Sequence, residues 1–174
     1  MIETQQQPSV TSVAVKYGFL TALVGVVYSL IIMVADLGDN RILSSLAYLI
    51  LIGGIVLAMK QYKAQSGGYM SYGQGLGIGS IVSVLFGLLS GLFTWIYTSF
   101  VDTEYMPRMM EKQREQMIQQ GLSDEQIDAG MKMAENFQGP LTMILGAAVI
   151  TLIFGFILSL IISAIMKNSR PEFE

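Results

Sequence analysis

Residues 67–80 read GGYMSYGQGLGIGS, and residues 81–101 continue IVSVLFGLLSGLFTWIYTSFV. Glycines alternate through GQGLGIG, a spacing that in a soluble chain suggests a loop cradling phosphate. A P-loop requires Lys directly after GxxxxG. Gly68 and Gly73 have that spacing, but Gln74 follows. A dinucleotide fingerprint requires GxGxxG after a strand. Counted from Gly75, that pattern meets Ser80 where the third glycine belongs, and no strand precedes it. No nucleotide is therefore expected. The stretch divides instead into three parts. Gly67 and Gly68 make a turn. Ser71 and Gln74 form an S-x-x-Q capping box that starts a helix. Gly75 and Gly79 open a row of small residues along that helix.

The run from Gly75 to Val101 carries no charge and exceeds the roughly 20 residues that a membrane span needs. The rest of the chain agrees. It has 174 residues, of which 52% are hydrophobic and 13% charged, about half the charged share of an ordinary globular protein. Three further apolar runs fit spans: Val13–Ala35, Ile42–Met59 and Leu141–Met166. Lys16, near the start of the first, can reach the interface. That first run is too long for a cleaved signal and lacks a basic leader, so a span is expected. Residues 1–12 read as a disordered polar tail and 13–174 as a single membrane domain.

Every fourth residue of span three is small: Gly75, Gly79, Ser83, Gly87, Gly91. Span four repeats this with Ala147, Thr151, Gly155, Ser159, Ser163. Small residues let membrane helices approach closely, so these ten are the helix-packing candidates. A row of period four turns about 40° per step around a straight helix. One partner is then unable to cover a whole row, and each row is expected to divide between its hairpin neighbour and spans one or two. Ala14, Gly18 and Ala22, with Gly53 and Gly54, are the surfaces on offer there.

Residues 102–138 hold most of the charge, and about 103–138 read as two short helices. The first covers EYMPRMMEKQREQMIQQ, with Met106, Met109, Met110, Gln113 and Met117 on its apolar side, and stops at Gly121. Ser123 and Gln126 form a second capping box, with Leu122 and Ile127 in staple positions. Ile127, Met131 and Ala134 share a face. These faces are expected to pack together and on the end of the bundle. Gly139-Pro140 then starts span four, with Pro at a tolerated first position.

Cys and His are both absent. That excludes disulfides, thiolate sites and His-based catalytic triads. Asp102 and Glu104 are better read as a solvated helix start than as a carboxylate pair. Asp36 and Asp39 mark a wet turn with too few ligands for a cation. No catalytic, cofactor-binding or metal-binding residue is expected, and the chain reads as no enzyme. The net charge of −3 gives no field for nucleic acid. Trp95, Tyr97, Phe100 and Tyr105 read as an interfacial aromatic belt. No ionisable residue sits inside spans two to four, which argues against a proton-coupled carrier.

Lys and Arg number five on each side of the membrane: Lys16, Lys60, Lys63, Lys167 and Arg170 against Arg41, Arg108, Lys112, Arg114 and Lys132. The short loops favour both termini in the cytoplasm.

The Lys16-Tyr17-Gly18 entry, GGYMSYGQGLGIG, TEYMPRMMEKQ and GLSDEQIDAGMKMAENFQGP together resemble an uncharacterised family of small Bacteroidota membrane proteins, domain of unknown function 4199. The resemblance covers roughly residues 13–167. It implies a four-span inner-membrane protein and brings no catalytic or binding residues.

The resulting expectation is an all-α integral membrane four-helix bundle with an extramembrane helical hairpin between spans three and four. Its environment is the lipid bilayer of the inner membrane. Its role is structural or accessory, acting through a membrane protein partner or a homo-oligomer. The alternative is a small oligomeric transport or permeation protein, with a membrane enzyme third.

Overall fold

Ser71 starts the central helix in the way its spacing to Gln74 requires. The Ser71 hydroxyl accepts from the Gln74 amide at 3.3 Å, and Gln74 Oε1 accepts from the Ser71 amide at 2.8 Å. Two of the backbone donors at the helix start are thereby satisfied. Gly67 and Gly68 precede it with φ of +66° and +88°, a left-handed turn that residues with a Cβ rarely adopt.

The structure, a computed structural model, describes residues 9–38, 40–136 and 138–169, with Arg41 by its backbone alone. Among the described residues the chain forms α1 (Val10–Val34), α2 (Arg41–Gln65), α3 (Tyr72–Ile96), a π turn (Tyr97–Val101), α4 (Tyr105–Gln119), α5 (Asp124–Asn136) and α6 (Pro140–Met166). The four long helices, α3 being taken with its π turn, are each long and apolar enough to cross a membrane. Each has an 18-residue window of mean hydropathy 2.1 or more.

The element boundaries depart from the expected spans in three places. α1 begins at Val10, not Val13, because Ser9 caps it and accepts from the Ser12 amide. Val10, Thr11 and Ser12 are thus helical and not part of a tail; residues 1–8, with Asp39 and Arg170, lie outside the described residues. α2 runs past Met59 to Gln65. Hydropathy falls there, but Tyr62 stays 2% exposed and keeps one face of the extension buried. α3 passes into a wide turn in which the Asp102 amide reaches back five residues to the Tyr97 carbonyl at 2.9 Å. The Thr98 hydroxyl donates to the carbonyls of Thr94 and Trp95, so acceptors at the interrupted ladder are satisfied.

α3 touches each of the other three long helices, most extensively α6 and next α1. α1 also packs on α2, whereas α2 meets α6 only slightly, in part through the rings of Tyr48 and Phe154 at 5.3 Å. The main core gathers Ala14, Leu51, Ile55, Met59, Ile78 and Val82, all fully buried or nearly so. Outward faces are apolar as well: Ile153, Ile157, Ile161 and Ile165 of α6 are more than half exposed.

Two ends can be told apart. At one, Met70 and Asn168 exchange both backbone hydrogen bonds at 2.9 Å, and Lys63 Nζ donates to the Met166 carbonyl at 2.9 Å. Lys63 thus sits at the negative ends of both α2 and α6. At the other lie the α1–α2 turn and the α4–α5 hairpin. Lys112 Nζ on α4 approaches Asp36 Oδ2 at 3.5 Å.

Candidate functional site

The ten small residues converge on one interface between α3 and α6. A Cβ on Gly75 would meet Ser163, one on Gly79 would meet Ser159, and one on Gly155 would overlap the Ser83 hydroxyl. A Cβ on Gly87 would lie 2.6 Å from the Ala148 Cα and clash with Thr151; on Gly91 it would lie 2.8 Å from the Ile144 Cα and 3.0 Å from the Ala147 Cβ. Each step of four residues along α3 is matched by a step of four back along α6. The expected division of each row between several neighbours is therefore corrected: α6 meets the whole α3 row, with Ile55 of α2 also 3.5 Å from a Cβ on Gly79. The straight-helix estimate fails because helices can wind about one another. A seam with a period above 3.6 stays in contact through right-handed winding.

The hydroxyls in this seam are satisfied mostly within their own helices. Ser83 Oγ donates to the Gly79 carbonyl at 2.7 Å and Ser159 Oγ to the Gly155 carbonyl at 2.6 Å. Each serine thus belongs to a Gly-x-x-x-Ser step and faces the glycine of the other step. Thr151 Oγ1 donates to the Ala147 carbonyl at 2.7 Å and lies 3.1 Å from the Ser83 carbonyl across the interface. Back-bonding of this kind lets polar residues sit in an apolar contact; of the four seam hydroxyls Ser163 is the exception, buried with no hydrogen-bond partner.

The other offered surfaces separate. Ala14 and Ala22 are fully buried, and a Cβ on Gly18 would press on Leu85 and Val82 of α3. Gly54 faces Thr21 of α1, while Gly53 has nothing within 4 Å. Gly25 was not singled out from the sequence, yet Phe86 lies against it. Its signal was the 11-residue interval from Ala14, three helical turns, which places the two on one face of α1.

The aromatic belt needs correction. Tyr97 and Tyr105 are buried, 6% and 8% exposed, and pack with Met33 in a small second core. Their rings meet edge to face at 6.3 Å. Phe100 alone of the four is strongly exposed, and Trp95 stands against it at 5.9 Å. The π turn rotates successive side chains differently from an α turn, so Tyr97 and Thr98 face inward and Phe100 and Val101 outward.

The hairpin packs through its methionines. Met106 and Met109 join the second core, Met117 reaches toward Gly130, and Ile127 is 3% exposed. Gly121 has φ +75° after the α4 C-cap, and Ser123 with Gln126 makes the second capping box. Asp102 forms no acid pair with Glu104. It holds Arg108 through two contacts, Nη2 to Oδ2 at 2.7 Å and Nη1 to Oδ1 at 3.3 Å. The Arg108 hydrogen bond keeps the Asp102 carboxyl below its ordinary pKa, and Arg108 is raised in return. Among the described residues no group of three His, Cys, Asp or Glu is placed to hold a metal ion.

A family model described as a protein of unknown function, DUF4199, matches residues 16–168. No curated protein and no solved structure matches the chain. The matched span takes in all six helices apart from the first turns of α1, so the chain belongs to the DUF4199 family.

Proposed function

We propose that the protein is a multi-pass inner-membrane protein with a structural or accessory role, acting through association with a membrane protein partner or with itself. The observation that carries this reading is the α3–α6 seam. Five glycine-centred contacts bring the two backbones together and fill the middle of the four long helices. Such a contact favours a rigid scaffold over a pathway within one chain. The hairpin adds a surface for partners, since Ile118 and Met133 are 57% and 64% exposed on it.

In this reading the end that carries Met70 and Asn168 is cytoplasmic, together with both termini. Its support is the gathering of Lys16, Lys60, Lys63 and Lys167 on the helix ends there. A reporter enzyme active only outside the cytoplasm, fused at residue 120, should be active; silence would reverse the orientation.

The test of function is affinity capture from native membranes, followed by mass determination in detergent. A stoichiometric membrane protein partner, or a compact dimer, supports the accessory role. A ring-shaped homo-oligomer enclosing a central opening would replace it with permeation.

A further inference from the structure

At the end where Met70 pairs with Asn168, the chain forms a half-open polar cup of about 210 Å³, well above the roughly 15 Å³ that admits one water molecule. The α2 end contributes Tyr62 and Ser66, the start of α3 contributes Ser71 and Gln74, and the C-terminal strap contributes Asn168 and Ser169. Ser66 is 7% exposed, and its hydroxyl oxygen is one of three buried without a hydrogen-bond partner among the described residues, with Ser90 and Ser163, and the one of the three that lines the cup. A buried hydroxyl without a partner is costly, and it calls for something to bond.

The chemistry of the cup selects the class of that partner. Its lining offers hydroxyl donors and the Gln74 amide and no carboxylate, while the Asn168 amide donates to the Gly68 carbonyl at 3.1 Å. The positive end of the 25-residue α3 abuts it. The capping box and the Gly75 amide bond use the amides of Ser71, Gln74 and Gly75, which leaves those of Tyr72 and Gly73 outside these bonds. The described residues at this end include Lys16, Lys60, Lys63 and Lys167 but no acid; every described Asp and Glu lies toward the hairpin end. The negative ends of α2 and α6 also stand here and are met by Lys63, so it is the donors, the α3 start and the lysines of this end together that favour an oxyanion over a cation or an apolar group.

We propose that this cup binds a phosphate oxyanion, with the Ser66 hydroxyl as a buried donor and the strap at Asn168 closing it. The group could be supplied by free phosphate or by the headgroup of a phospholipid, because the cup stands at the end of the apolar helices. Only the lipid source rests on the membrane reading of the chain, and neither source depends on the accessory role.

The test uses full-length protein, stripped of lipid in a neutral maltoside detergent. Three probes are added: inorganic phosphate, phosphatidic acid, and diacylglycerol with the same acyl chains. Phosphate is followed by calorimetry and the lipids by native mass spectrometry. Ser66→Ala is expected to weaken binding about tenfold, the effect of losing one hydrogen bond to a charged group. Ser66→Thr should retain binding. Tyr62→Phe is the second variant and keeps the buried ring. Folding of each is checked by its unfolding midpoint.

Binding of inorganic phosphate that weakens in either folded loss variant supports the site with a free ligand. Preference for phosphatidic acid over diacylglycerol with the same dependence, and no response to inorganic phosphate, supports a lipid headgroup. No binding of either phosphate probe, or binding that neither variant alters, overturns the proposal. Capture of a partner protein from membranes decides the accessory role separately, so the two can fail independently.

Discussion

Gly155 and Ser83 face each other so closely that a Cβ on the glycine would overlap the serine hydroxyl. Gly79 and Ser159 repeat this relationship with the roles exchanged between helices. Gly155→Leu should therefore destabilise the protein in detergent by about 3 kcal/mol, at the upper end of ordinary overpacking. Leu88→Ile conserves volume and should cost about 1 kcal/mol or less. Equal unfolding midpoints for the two variants would refute the packing role.

The reciprocal arrangement permits a sharper check. Gly155→Ser alone forces two hydroxyls into one space. Adding Ser83→Gly removes the one that blocks it. The double variant should regain about 1 kcal/mol or more over the sum of the singles, as contacting residues do in a double-mutant cycle. Additive effects would mean that the two residues do not meet.

Glycines in these helices should divide by what lies beside them. A Cβ on Gly91 would strike the Ile144 backbone, which has no flexible end to move aside. Gly91→Ala should cost about 1–3 kcal/mol. Gly53 and Gly146 have nothing within 4 Å. Ala at either should be neutral or stabilise by up to about 1 kcal/mol, through helix propensity. Chemical denaturation in mild detergent would rank the three, and loss of stability at Gly53 would point to a neighbour from another chain.

Much of this architecture was legible in the sequence. Apolar runs marked the long helices, and the S-x-x-Q steps at Ser71 and Ser123 marked two helix starts. Small residues four apart marked the seam. Its pairing was not legible, because a row read on one straight helix does not show which neighbour follows it along its length. The α2 extension was hidden because Lys60 and Lys63 lower hydropathy while Tyr62 and Met59 still pack inward. The π turn carries no breaker residue, so Tyr97 looked like its neighbours. The cup was invisible because its lining comes from three separate segments joined by one backbone pairing.

Tyr97 and Phe100 test the π turn directly. Three residues apart, they would share a face on an α-helix. In the structure Tyr97 is 6% exposed and Phe100 73%. Tyr97→Ala should cost about 3 kcal/mol, as for other buried aromatic truncations. Phe100→Ala should change stability by no more than about 0.5 kcal/mol. Comparable losses would show that the ladder continues as an α-helix and that both rings share one environment.

Asp102 and Arg108 tie the end of the π turn to the first turn of α4, and the pair should make the hairpin junction sensitive to acid. The Arg108 hydrogen bond holds the Asp102 carboxyl below its ordinary value. A carboxyl whose folded pKa is depressed stabilises the fold above its unfolded pKa, and that contribution is lost as pH falls through the folded pKa. At neutral pH the contribution is fully present. Both side chains are partly exposed, 44% for Arg108 and 26% for Asp102, so salt should weaken the pair. Arg108→Gln should raise the Asp102 pKa, read from its side-chain carbonyl carbon shift during acid titration. It should also reduce the loss of hairpin amide protection between neutral and acid pH. An unchanged titration in that variant would remove Arg108 as the cause.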